Sequence, residues 1–198
     1  MELKRNTTYG FSADCFGTEL EEDEHLKIKE HTYYLHDWET DWESDEESRK
    51  FLVGKCEVRE MEVADVNVDT MCYWADEDSS SFVSGLEEYT SKNKSIANWL
   101  TKVVFISELQ IKKKYQNKGY GTSFLKGIMK DLRGYNGDVL FLLEACPFNK
   151  RMKEEKREKY IKKNSAKLKR FYRKLGYKPV SKKSSYMARY IEELDNVE

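Results

Sequence analysis

The densest chemistry in the chain lies in Gln116-Asn117-Lys118-Gly119-Tyr120-Gly121-Thr122. Gly119 and Gly121 let the backbone take turns barred to other residues and come close to a ligand. Apolar residues alternate before this stretch and repeat at helical spacing after it, so it joins a strand to a helix. Amides at a helix start point outward without partners. With the helix dipole they can cradle a phosphate. Lys112, Lys113, Lys114 and Lys118 add positive field, and Thr122 offers a hydroxyl. The plain alternative is a tight turn that holds nothing. A Walker A loop is excluded, because its Gly-Lys-Ser/Thr ending is missing. A dinucleotide fingerprint is a poor match, since it needs GxGxxG and an acidic residue about 20 positions later.

The remaining reactive side chains suggest less. Cys15, Cys56, Cys72 and Cys146 contain no CxxC pair, so neither a zinc ribbon nor a redox motif is indicated. Free thiols in the cytoplasm are the reading. His25, His31 and His36 lack the i, i+4 helical spacing of a metal pair and are read as surface residues. No metal site is expected. Cys146 has no nearby histidine in the second half, which argues against acyl-cysteine chemistry.

The turn needs elements to hold it. Lys102–Ile111 predicts a strand and Gly119–Leu132 a helix, with Phe124, Ile128 and Leu132 on one stripe beside Leu125 and Met129. The apolar run Val139–Leu143 predicts a buried central strand. Residues 151–163 are very basic and helical in character. Leu168, Phe171, Tyr172 and Leu175 form the apolar face of a helix that stops at Gly176. Tyr186–Ile191 reads as the last strand. In the first half, 26–35 and 51–63 read as strands, 37–50 as a short helix or a lid-like loop, and 70–100 as ambiguous, with a helix near 80–90. Residues 1–24 read as polar, with an acidic cluster at 19–24. Alternating strands and helices imply an α/β or α+β domain.

The chain has 198 residues and a formal net charge of −1. Residues 1–100 carry 10 Lys/Arg against 25 Asp/Glu, whereas 101–198 carry 25 against 11. Two compensating halves of one fold explain this, as does a basic half for an anionic ligand and an acidic half for a cationic one. Only 12 residues are Gly or Pro, while 13 Tyr, 9 Phe and 4 Trp supply apolar surface. Collagen-like and wholly disordered classes are thereby excluded. The longest apolar runs, such as Val103–Ile106, are too short for a membrane span. No secretory segment follows Met1, so the expected location is cytoplasmic.

The run from Phe105 to Gly121 closely resembles the central motif of the GNAT superfamily of acyl-CoA-dependent N-acetyltransferases. That motif is a strand with alternate apolar residues, here Leu109 and Ile111, followed by Arg/Gln-x-x-Gly-x-Gly/Ala, here Gln116, Gly119 and Gly121. Phe171-Tyr172-Arg173-Lys174-Leu175-Gly176-Tyr177 is similar to the family's Tyr-x-x-x-Gly-Phe segment. Leu143-Glu144-Ala145-Cys146-Pro147-Phe148-Asn149 is similar to its Leu-Glu-Val-x-x-x-Asn. The matches fall in the family's order over roughly 100–191. Residues 1–100 match nothing nameable.

The resemblance implies an α+β (α-β-α) fold with a mixed, mostly antiparallel sheet of six to seven strands and helices on both faces. Its central parallel pair, ending at Ile111 and Leu143, would splay apart. The chain would be a single domain over 1–198. An acidic acceptor-side half (1–100) would be joined to an acyl-CoA half (101–191) carrying a basic helical insertion at about 150–164. Acetyl-CoA would be the cosubstrate. Its pantetheine arm would pair near Leu109, Gln110 and Ile111. Its diphosphate would meet Gln116, Asn117, Lys118, Gly119, Tyr120, Gly121 and Thr122. Tyr172 would be the general acid, with Glu144 and Glu108 the candidate proton acceptors. The family's pantetheine-contacting Asn usually precedes the Tyr by about seven residues. Asn149 precedes Tyr172 by 23, and seven back falls on Ser165, one place from Asn164. Asn149, Asn164 and Ser165 all remain open. The insertion could cap the coenzyme and face its 3′-phosphate, or be a solvated surface helix.

The implied reaction is acetyl transfer to a primary amine by direct attack. The acidic first half favours a cationic small molecule or a lysine side chain, with Trp38, Trp42 and Trp74 as an aromatic wall. The expected partner is thus a cationic small-molecule or peptide amine. No membrane is expected, nucleic acid is not favoured, and a homodimer is the usual state in similar proteins. The alternative is a non-catalytic CoA-binding or interaction module on the same fold.

Overall fold

The computed structural model describes residues 1–9, 28–39, 49–133, 137–147 and 154–192. Seven strands form one sheet: β1 (Glu2–Tyr9), β2 (Ile28–Glu39), β3 (Arg49–Glu62), β4 (Leu100–Ile111), β5 (Asp138–Glu144), β6 (Lys178–Pro179) and β7 (Tyr186–Ile191). Their order is β1-β2-β3-β4-β5-β7-β6. Every neighbouring pair is antiparallel except β4 and β5, which are parallel. The helices are α1 (Val68–Asp78), α2 (Ser80–Lys92), α3 (Lys94–Ala97), α4 (Tyr120–Arg133) and α5 (Glu154–Arg173). The architecture is GNAT-like: a mixed, mostly antiparallel sheet between two helical layers.

Alternation along the strands divides the core. Val104, Ile106, Val139, Phe141 and Leu143 join one buried cluster with Phe124, Leu125, Ile128, Met129 and Leu132 of α4. Val103, Phe105, Leu140 and Leu142 join the other, with Met71 and Ala75 of α1 and Phe82, Leu86 and Tyr89 of α2. β5 is buried on both faces, which is why it reads as a continuous apolar run. Each fully buried aliphatic or aromatic side chain contributes about 1.5–3 kcal/mol. The α4 stripe falls where its spacing of four predicts. Asn67 caps α1 by accepting from the Thr70 amide at 2.9 Å. Ser79 ends α1 and caps α2, its hydroxyl accepting from the Phe82 amide at 3.1 Å.

Several expectations need revision. β1 lies in a stretch read only as polar, because an edge strand has little apolar surface to reveal it. The ambiguous region 70–100 contains three helices. The basic stretch is no separate helix, since α5 runs unbroken from Glu154 to Arg173. His31 is no surface residue: it is buried on β2 with its ring nitrogen 2.6 Å from Glu60. Trp74 packs against the α1–α2 core cluster rather than forming an open wall. Cys56, Cys72 and Cys146 are free thiols. The acidic cluster 19–24, His25, Cys15 and Trp42 lie outside the described residues, as does the Trp38 side chain. Among the described residues no helix is long and apolar enough to cross a membrane.

Candidate active site

The site begins where β4 and β5 part. Their pairing runs from Leu100 opposite Asp138 to Ile106 opposite Leu143 and then stops. A bulge at Ser107 bends β4 there: Glu57 of β3 faces Glu108, and Val58 faces Ile106. The Ser107 hydroxyl donates to the Glu57 carbonyl at 3.1 Å. From Glu108 to Ile111, β4 is paired with β3 alone, so its other edge is open toward the end of β5. The bulge also changes parity. Leu109 and Ile111 therefore pack on the α4–α5 side with Val104 and Ile106.

That open edge leads to the glycine turn. The Gln116 amide donates to the Lys113 carbonyl at 3.3 Å, and those of Thr122 and Ser123 donate to Gly119 at 3.0 and 3.1 Å. The amides between, Asn117 to Gly121, find no acceptor in the protein. Asn117 and Gly119 have φ of 62° and 87°. Their left-handed backbone turns consecutive N–H groups into one concavity, an anion nest. A Cβ at Gly119 would meet no atom within 4 Å, so the space above the turn is open. The turn itself is held firmly. The Gln116 side chain donates to the Ile111 carbonyl at 2.9 Å, and the Tyr120 hydroxyl to Asp37 at 2.6 Å. Tyr115 stacks on Phe51 with ring centroids 5.2 Å apart, and Lys114 lies 4.6 Å over the Tyr115 ring.

A groove of about 460 Å³ joins these features. Leu109 and Ile111 of β4 line it, with Gln116, Asn117, Gly119, Gly121 and Thr122 of the turn. α5 forms the opposite wall with Tyr160, Asn164, Lys167, Leu168, Phe171 and Tyr172. Those residues recur at steps of three and four, so one face of α5 meets the groove. This phase brings in Asn164 and leaves Ser165 off the lining, while Asn149 lies outside the described residues. Gln110, Lys118 and Tyr120 are not in the lining either. Gln110 is exposed and donates to Glu108, and Tyr120 is half-buried. The sequence reading missed Tyr160, Lys167 and Pro147. The first two were legible only as helical steps back from Phe171.

Tyr172 is 7% exposed, and its ring meets Phe171 and Tyr177 edge-on at 5.0 and 5.9 Å. Burial pushes its phenol well above the ordinary value, so it stays protonated at neutral pH. The two glutamates lie elsewhere. By strand alternation Glu144 shares a face with Leu140 and Leu142, the α1–α2 side, and accepts from Ser81 of α2 at 3.5 Å. Glu108 alternates with Leu109 and so faces that side too. Two carboxylates thus stand across the sheet from the groove, beside the gap. Among the described residues no group of three or more His, Cys, Asp or Glu is placed to hold a metal.

No protein-family model matches the chain, and no curated protein does. Solved structures similar to it include a tyrosine-to-phenylalanine mutant of KacT, at 14% identity and a TM-score of 0.44, covering 96% of this chain and 95% of that one. A KacTA–DNA complex aligns at 15% identity and a TM-score of 0.41, over 96% and 93%. A tyrosine-to-phenylalanine mutant of the AtaT toxin, bound to the C-terminus of the antitoxin AtaR and acetyl-CoA, aligns at 10% and 0.37, over 82% and 68%. The expectation that set nucleic acid aside as a partner is corrected here: one of these structures is a complex with DNA, and another holds an antitoxin segment.

Proposed function

We propose that this chain is an acyl-CoA-dependent N-acyltransferase that moves an acetyl group from acetyl-CoA to a primary amine. One observation carries the reading: unsatisfied amides at Asn117–Gly121 open onto a groove that runs along the unpaired edge of β4 to a buried, protonated tyrosine. The residues present fit the coenzyme. The amide nest suits a diphosphate, and the free backbone of Glu108–Ile111 suits the amides of a pantetheine arm. Acetyl-CoA supplies an activated thioester carbonyl.

The chain's own groups supply the rest. An alkyl ammonium has a pKa of about 10.4 and must lose a proton before it can attack. Glu144 and Glu108, on the acceptor face of the gap, take that proton directly or through water. Tyr172, on the coenzyme face, gives its hydroxyl proton to the departing sulfur. The C–N bond forms as the C–S bond breaks, and the amine's second proton restores the phenol through solvent. Donor and acceptor thus approach from opposite faces of one sheet.

Two acceptor classes suit the surface. A lysine side chain or cationic small molecule suits Glu108 and Glu144. An amine carried on a nucleic acid suits the exposed Lys112, Lys113, Lys118, Lys163, Lys167 and Arg170 around the groove and on α5. Calorimetric titration with acetyl-CoA and CoA tests the coenzyme site. The wild type binds both, and Gly119→Trp, folded by circular dichroism, binds neither. A wild type that binds neither ligand sinks the enzyme reading. Turnover on a panel of free and nucleic-acid-borne amines, at low and high salt, then separates the acceptor classes.

A further inference from the structure

We infer that α5 carries a subsite for the 3′-phosphate of the coenzyme, with Lys167 as its cation. The inference rests on the acetyl-CoA reading above and assigns the basic stretch that otherwise has no task. The groove-facing positions of α5 are aromatic, apolar or amide except one, Lys167. Its ammonium has no ion-pair partner among the described residues, where the salt bridges lie elsewhere.

Charge and position narrow what this lysine meets. Pantetheine is neutral, so nothing along its arm needs a cation. The diphosphate has the amide nest. The anion left over is the 3′-phosphate, which hangs from the same ribose as the diphosphate and must lie near it. Phe171 marks the level of the nest, since a Cβ at Gly121 would lie 3.4 Å from its ring. Lys167 is one turn away along the helix, about 6 Å. Tyr160 lies further along the same wall, as a flat surface for the adenine. On the opposite side of α5, Lys162 is exposed and faces away from the groove, an internal control.

The test is calorimetric titration of the full chain with CoA and with 3′-dephospho-CoA, for wild type, Lys167→Gln and Lys162→Gln. A charge-assisted contact predicts that wild type binds CoA about tenfold more tightly than the dephospho form. Lys167→Gln loses that preference by weakening CoA alone, and Lys162→Gln keeps it. Equal affinities in wild type overturn the subsite while leaving the coenzyme reading intact. Equal loss for both ligands in Lys167→Gln places the lysine on the diphosphate and also overturns it. Loss of preference in Lys162→Gln shows a general field rather than a site. Failure of wild type to bind either ligand removes the coenzyme reading and the subsite together.

Discussion

Tyr172 owes its fitness as an acid to its neighbours. A phenol in water already holds its proton at neutral pH, with a pKa near 10. Packing against Phe171 and Tyr177 raises it further, by excluding the water that would stabilise a phenolate. Donation therefore has to coincide with charge developing on sulfur. Tyr172→Phe keeps the ring and removes the proton. Its kcat falls about 10²-fold or more, while CoA affinity by calorimetry stays near wild type. An unchanged single-turnover rate would take the acid role from Tyr172.

Between elements, the acceptor wall depends on how closely α2 approaches the sheet. Gly85 makes this possible: a Cβ there would lie 2.7 Å from the Tyr186 ring and 3.1 Å from Leu142. The same contact sets Ser81 beside Glu144. The β6–β7 connection is tied to this helix, because the Ser181 and Ser184 hydroxyls each donate to Glu88 at 2.6 Å. Gly85→Ala has to push α2 outward. Urea denaturation should show a loss of about 1–3 kcal/mol, and the KM for the amine should rise more than that for acetyl-CoA. Wild-type stability in this variant would mean that the helix shifts freely.

At the other end of the sheet the chain buries a polar cluster with no catalytic task. Glu60 is 6% exposed, 2.6 Å from His31 and 2.7 Å from Lys102. Burial opposes its charge, but the hydrogen bonds from His31 and Lys102 outweigh that and hold its carboxyl well below the ordinary range. Lys102 also donates to the Leu132 carbonyl at 3.2 Å, closing the C-terminal end of α4. A folded-state pKa below the unfolded value near 4.3 stabilises the fold fully above about pH 4.5. That contribution is lost as pH falls through the depressed value. Glu60→Gln should cost about 2 kcal/mol at pH 7, with the difference from wild type shrinking below pH 4 in thermal melts. A difference that holds constant to pH 3 would refute the link.

What could be read along the chain was what local order dictates. The Gln116–Thr122 turn, the α4 stripe and the double-sided run of β5 depend on residues within a few positions of one another, so their spacing was enough. Sequence order likewise carried the motif resemblance, and with it the parallel pair. Other features depended on distant partners. Only pairing with β3 inserts Ser107 as a bulge, and that bulge decides which face Leu109, Ile111 and Glu108 occupy. Only the phase of α5 against the groove brings in Asn164 and Lys167 and turns Ser165 away. His31 looked like an exposed histidine because its partner, Glu60, lies 29 residues away. Burial and facing are properties of what packs alongside, and the chain's own periodicity does not contain them.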